Sequence, residues 1–302
     1  MTKTKYHLTV TICLVFVVLI VAGKGIGADN ILKMSTTTST QSSGLLDMLL
    51  PELEKDTGIR VMVIAKGTGA AIRDGRDGNV DVIFVHAKSL EELFIRDGYG
   101  TKRYAVMHND FVILGPKNDP AGIKGIRHAV SAFRKIARAK VMFVSRGDDS
   151  GTHTKEQALW EETGLNMIKK ATVIRREGKT GAIDFFHPEG LGDWYLSIGQ
   201  GMGKTITFAE EKQAYTFADR GTFIKYKYGR KGGLDLAVLT EGDPDLVNPY
   251  GVIPVNPAIH PHVKYELAKR FAEWLVSKKG QRLIGNYKLH GKALFYPDAV
   301  LH

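Results

Sequence analysis

Apolar residues along this chain alternate between short continuous runs and stripes at helical spacing. Ile31-Leu32-Lys33-Met34, Arg60-Val61-Met62-Val63-Ile64-Ala65, Asp81-Val82-Ile83-Phe84-Val85-His86, Phe111-Val112-Ile113-Leu114-Gly115-Pro116 and Val141-Met142-Phe143-Val144 have the length and the β-branched content of buried strands. Between them, Leu45, Leu46, Met48, Leu49, Leu50 and Leu53 form a helical face, and Pro51 predicts that this helix ends or kinks there. Residues 89–96 and 122–139 also read as helix. Further on, 214–217, 235–239 and 246–255 read as strands. A strongly amphipathic helix is predicted over 262–278, with Tyr265, Leu267, Ala268, Phe271, Trp274 and Leu275 on one face.

Strands that alternate with helices predict an α/β protein whose sheets are mostly parallel and flanked by helices. The late strand signal at 246–255 can return the chain to its first half. The predicted organisation is therefore two lobes joined by two crossover strands: 29–114 plus 250–302 as lobe I and 115–249 as lobe II.

In such sheets ligands sit outside the carboxyl ends of the strands. Three loops would lie there. Residues 35–43 carry eight hydroxyl side chains, more than one helix cap needs. Lys66-Gly67-Thr68-Gly69-Ala70-Ala71 turns a strand into a helix. Ser145-Arg146-Gly147-Asp148-Asp149-Ser150-Gly151-Thr152 does the same after 141–144. The first amides of a helix lack internal partners and carry a partial positive charge, so such loops suit an anion, and Arg146 adds a planar charged fork. Plain helix capping by Asp149 or Ser150, with Arg146 paired to Asp148, explains the third loop equally well when it is taken alone.

The N-terminus changes the picture of compartment. Lys3 and Lys5 precede an apolar run from Leu8 to Ala22, and small residues follow to Ala28. This is the layout of a secretory signal peptide over 1–28, and it predicts a periplasmic protein. The only cysteine, Cys13, lies inside that segment, so thiolate metal sites, disulfides and cysteine nucleophiles are excluded from the mature chain. Removing residues 1–28 takes away Lys3, Lys5 and Lys24 and no acid, so the formal charge of +10 becomes +7. The basic residues are scattered apart from Lys225-Tyr226-Lys227-Tyr228-Gly229-Arg230-Lys231, which reads as a solvated face.

Two motifs are set aside. Gly199-Gln200-Gly201-Met202-Gly203-Lys204-Thr205 lacks the first glycine of a P-loop, since Ile198 stands there, and the segment before it reads as helix. Ser150 and His153 could face one side of a helix start, but no nucleophile elbow and no orienting acid accompany them. The ten histidines show no metal-ligand spacing.

Thr36-Thr37-Thr38-Ser39, Gly67-Thr68-Gly69, Met107-His108-Asn109-Asp110-Phe111 and Ser145–Thr152 together resemble the extracytoplasmic tungstate-binding proteins of bacterial tungstate ABC importers. Gly199–Gly203, Ala214-Tyr215-Thr216 and Asp219-Arg220-Gly221-Thr222 extend the resemblance over nearly the whole mature chain. It implies a two-lobed periplasmic binding protein that closes around a tetrahedral oxyanion and hands it to a membrane permease. It implies no cofactor, no metal cation, no catalysis and no nucleic acid, and a monomer is expected. Carried over, the anion's ligands are Thr37, Thr38, Ser39, Arg146 and Thr152. The loop argument adds Thr68, Gly69, Ser150 and Gly151. Tungstate as the preferred ligand follows from the resemblance, because residue types do not separate it from molybdate. Sulfate and phosphate are the other candidates, and the proton of hydrogen phosphate wants an acceptor, with no dedicated one evident among Thr37, Ser39, Arg146 and Thr152. A secreted hydrolase using Ser150 is the alternative from another class.

Overall fold

The computed structural model describes residues 30–176, 179–189 and 194–299. The predicted signal segment, with Cys13, lies outside the described residues. The chain opens with β1 (Ile31–Thr37), the short helix α1 (Thr38–Ser42), α2 (Leu45–Thr57), β2 (Arg60–Lys66), α3 (Thr68–Arg76), β3 (Val82–Val85) and α4 (Lys88–Arg96). The long strand β4 (Tyr104–Pro116) leads to α5 (Ala129–Ala139), β5 (Phe143–Ser145) and α6 (Gly151–Glu162). Then follow β6 (Met167–Arg176), β7 (Lys179–Pro188), β8 (Tyr195–Ser197), α7 (Met202–Glu211), β9 (Tyr215–Asp219), α8 (Arg220–Gly229) and β10 (Leu236–Thr240). The chain returns through β11 (Val247–Pro254) to α9 (Tyr265–Leu275) and α10 (Lys278–Asn286). Three two-residue strands follow: β12 (Lys288–Leu289), β13 (Lys292–Ala293) and β14 (Tyr296–Pro297).

Ten strands form one sheet in the order β2-β1-β3-β11-β4-β9-β5-β8, with β10 and β14 also on β4. The strands that end in the candidate loops pair in parallel: β1 with β2 and β3, and β5 with β8 and β9. The antiparallel pairs of this sheet all involve β4 or β11. β4 changes partners part-way along. Residues up to Asp110 pair with β11, and from Phe111 onward the strand pairs with β9 and then β10. Leu32, Met34, Leu49 and Phe271 are buried on one side of this junction, while Phe133, Phe143, Trp160 and Phe217 stack tightly on the other.

Four sequence expectations need correction. α2 does not end at Pro51 but continues to Thr57, because Leu45, Leu46, Leu49 and Leu53 bury one face of it and outweigh a local cost of about 3 kcal/mol. The helix expected over 122–139 begins only at Ala129: Asp119, Gly122 and Gly125 adopt left-handed backbone, and Asp243 accepts the Ala129 amide at 2.6 Å. The helix expected over 262–278 is α9 alone, three residues shorter at each end, and a separate helix follows it, capped by the Ser277 hydroxyl, which accepts from the Gly280 amide. Before Gly199 the chain is strand β8 and not helix, so the glycine loop does join a strand to α7; the missing first glycine still stands against a P-loop.

Candidate functional site

The threonine-rich loop sends its hydroxyls in two directions. Ser35 and Thr36 are still strand residues and turn inward, Ser35 to Asp74 at 2.9 Å and Thr36 to the Phe84 carbonyl at 2.6 Å. Thr37 caps α1: its hydroxyl accepts from the Thr40 amide and lies 3.0 Å from Ser39 Oγ. Thr38 is exposed, and Ser39 sits half-buried with its Oγ 3.1 Å from His86 Nε2. β1 and β3 are adjacent parallel strands, which is why the loop after one meets the residue after the other.

The opposite wall is the turn from β5 into α6. Gly147 and Asp149 both adopt left-handed φ, and a Cβ at Gly147 would strike Ser197 Oγ, so only glycine fits this bend. The bend turns Asp148 into a hub. Its Oδ2 accepts from Arg146 at 2.6 Å, and its Oδ1 accepts from the Ser150 hydroxyl at 2.6 Å. Ser150 in turn caps α6 by accepting from the His153 amide. Arg146 is 8% exposed; its guanidinium donates to Thr152 Oγ1 at 3.3 Å and leaves its Nε buried with no partner among the described residues. A planar cation aimed by one carboxylate, with donor capacity to spare beside a helix start, is suited to binding oxygens.

These two walls meet. A Cβ built at Gly151 would lie 3.3 Å from Thr68 Oγ1 and 3.5 Å from the His86 ring, and one built at Gly69 would lie 3.9 Å from Asp149 Oδ2. The starts of α3 and α6 therefore face each other across His86. The geometry groups Ser39, Thr68, Gly69, Gly151, Thr152 and Arg146. Beside them opens a cavity of about 210 Å³ that Thr38, Ser39 and Arg146 line together with Asp219, Lys225 and Tyr250. Thr37, Thr68, Gly69, Ser150, Gly151 and Thr152 do not line it. Among the described residues no group of three or more His, Cys, Asp or Glu could hold a metal ion. No helix among them is long and apolar enough to cross a membrane.

A PBP superfamily domain model matches residues 26–279. The tungstate-binding protein TupA of Peptoclostridium acidaminophilum is 47% identical over 271 residues, spanning 88% of this chain and 85% of that protein. The solved tungstate-binding protein TupA from Desulfovibrio alaskensis G20 superposes with a TM-score of 0.75 at 46% identity, covering 89% of this chain and 99% of that one. A solved structure described as the tungstate ABC transporter from Geobacter sulfurreducens gives a TM-score of 0.70, also at 46% identity, covering 86% of this chain and all of that one. The chain belongs to the tungstate-binding family of the PBP superfamily.

In this member of the tungstate-binding family, four buried residues behind the cleft were not singled out as site residues by their own chemistry in the sequence. His86 stacks on Tyr250 at a ring separation of 4.8 Å and places Nδ1 3.0 Å from Asn248 Oδ1. Asn248 Nδ2 donates to Asn109 Oδ1 at 2.7 Å, and Asn109 Nδ2 donates to the Tyr250 hydroxyl at 3.3 Å. Burial pulls the His86 pKa down to about 4, so the ring is neutral near pH 7. Asp219 was also missed. Both its oxygens accept from Thr222, one from the amide and one from the hydroxyl, which caps α8 at the cavity wall.

Proposed function

We propose that this protein captures tungstate in the cleft between two lobes and delivers it to the permease of an ABC importer. The observation that carries the reading is Arg146: a buried guanidinium, held by Asp148 and Thr152, with its Nε unpartnered and with Thr38 and Ser39 beside it at the cavity. A buried dianion is costly without several donors, and this cleft assembles one charged fork, hydroxyls and two helix starts. Relatives of 40–47% identity bear the name tungstate-binding protein, which favours tungstate over other tetrahedral oxyanions. The ligand set we propose is Thr37, Thr38, Ser39, Thr68, Gly69, Arg146, Ser150, Gly151 and Thr152.

In this reading the two lobes are 29–114 plus 250–302 and 115–249, and the partner change in β4 after Asp110, matched by the entry into β11 at Val247, marks the crossovers that bend. Each lobe supplies donors, so the anion favours the closed form by contacts that exist only there. Capture occurs without turnover: the Ser150 hydroxyl donates to Asp148, a carboxylate already paired with Arg146, and His153 Nδ1 accepts from the Asp149 amide, so no serine–histidine pair forms. The leader 1–28 would direct the chain to the periplasm, where it acts as a monomer with no cofactor and no nucleic-acid partner. Truncating the central cation tests the reading. Arg146→Ala should weaken tungstate binding by about 2 kcal/mol or more, as for other buried charged contacts. Unchanged affinity in equilibrium dialysis would remove Arg146 from the site and the reading with it.

A further inference from the structure

We propose that Ser39, His86, Asn248, Asn109 and Tyr250 form a reversible hydrogen-bond chain, and that a bound anion sets its direction by requiring Ser39 as a donor. The proposal rests on the reading of the cleft as a site for a fully deprotonated oxyanion. His86, Asn109, Asn248 and Tyr250 are each at most 7% exposed, so their polar atoms depend on one another.

In the structure the chain runs away from the cleft. Asn248 Nδ2 donates to Asn109 Oδ1 at 2.7 Å, which leaves Asn248 Oδ1 to accept from His86 Nδ1–H at 3.0 Å. A neutral imidazole has one donor and one acceptor, so Nε2 is the acceptor, and it takes the Ser39 proton across 3.1 Å while the Thr37 hydroxyl, 3.0 Å from Ser39 Oγ, serves as donor to it. The Ser39 hydroxyl has only that proton. Ser39 then shows the cleft lone pairs alone, which a dianion repels.

Every bond of the chain can also run the other way. Tyr250 O–H donates to Asn109 Oδ1, Asn109 Nδ2 to Asn248 Oδ1, Asn248 Nδ2 to His86 Nδ1, and His86 Nε2–H to Ser39 Oγ. Ser39 is then free to donate to the anion. The reversal turns two amides over and moves the ring proton: Nδ1 releases one to water and Nε2 takes one from water while the cleft is open. The ring stays neutral, and both ring nitrogens and both amides keep their partners along the chain in either direction. Two features place this chain where it matters. Asn109 and Asn248 are register partners across β4 and β11, one residue from the point where β4 changes partners. The His86 ring is also the surface that Gly151 approaches from the opposite wall. His86, Asn248 and Asn109 are thus positioning residues, which act on the anion through Ser39.

The direct test is histidine tautomer state by long-range proton–nitrogen NMR on nitrogen-labelled protein at pH 7, with the His86 signal assigned by its absence in His86→Gln. The expected result is an Nδ1–H ring without anion and an Nε2–H ring with saturating tungstate. The same tautomer in both samples, with tungstate binding shown by calorimetry on the second, overturns the proposal and leaves the oxyanion reading intact. Absence of tungstate binding overturns that reading and the proposal together. Asn248 does not line the cavity. Asn248→Leu should nonetheless weaken tungstate binding about tenfold, and should add nothing in a Ser39→Ala background, because both changes break one chain. Full additivity of the two losses would show that Asn248 acts only on the fold.

Discussion

Beneath Arg146, the residue with the most telling environment is Glu156. It is fully buried, and its carboxyl accepts from Ser145 Oγ at 2.6 Å, Tyr195 OH at 2.7 Å and Trp160 Nε1 at 3.1 Å. Burial raises its pKa above the ordinary carboxylate value even against the nearby His153 and those donors. The folded state therefore holds this proton more tightly than the unfolded chain does. Its contribution to stability is complete below the unfolded value of about 4.5 and is lost as pH rises through the raised folded value. Glu156→Gln keeps an acceptor for Tyr195 and Trp160 and has no proton to lose. Urea melts across this range should show wild-type stability falling with pH relative to the variant; parallel curves would mean that Glu156 is ionised throughout. At this scale the sequence was partly legible. Arg146, Ser39 and Thr152 stand out by type and motif. His86 does not, because its meaning comes from Asn248, 162 residues away, and a lone histidine after an apolar run reads as ordinary.

At the scale of elements, the contact between the starts of α3 and α6 is the feature most open to a single atom. Gly151 is in the first turn of α6, where alanine suits the helix. An added methyl would nevertheless lie 3.3 Å from Thr68 Oγ1. Gly151→Ala should thus leave the thermal midpoint of the anion-free protein within a few degrees and weaken tungstate binding by about 1 kcal/mol or more, in line with an overpacked contact. A lower midpoint with unchanged affinity would place the contact outside closure. Most strands and the three loops could be read from the apolar runs and the residues that follow them. The exceptions have physical causes. Pro51 misleads because tertiary burial of α2 outweighs its local cost. Strand β8 is only three residues long and pairs with β5, a partner that no local pattern reveals. The β6–β7 ribbon forms a separate two-stranded sheet, and its lysine-rich strands lack the apolar alternation that marks a core strand.

For the whole molecule, class and family were within reach of the sequence, since alternating elements set the first and the loop motifs pointed to the second. The choice among tetrahedral oxyanions was not, because tungstate and molybdate differ little in size and charge and the same donors serve both. In the proposed reading, opposed walls that each carry donors link the ligand to closure, so affinity reports on the entire arrangement. The most direct test is calorimetric titration of the mature protein with tungstate, molybdate, sulfate and phosphate. Tight one-to-one binding of tungstate, with sulfate and phosphate excluded, is the predicted result. Heat with phosphate or sulfate but none with tungstate would contradict the account.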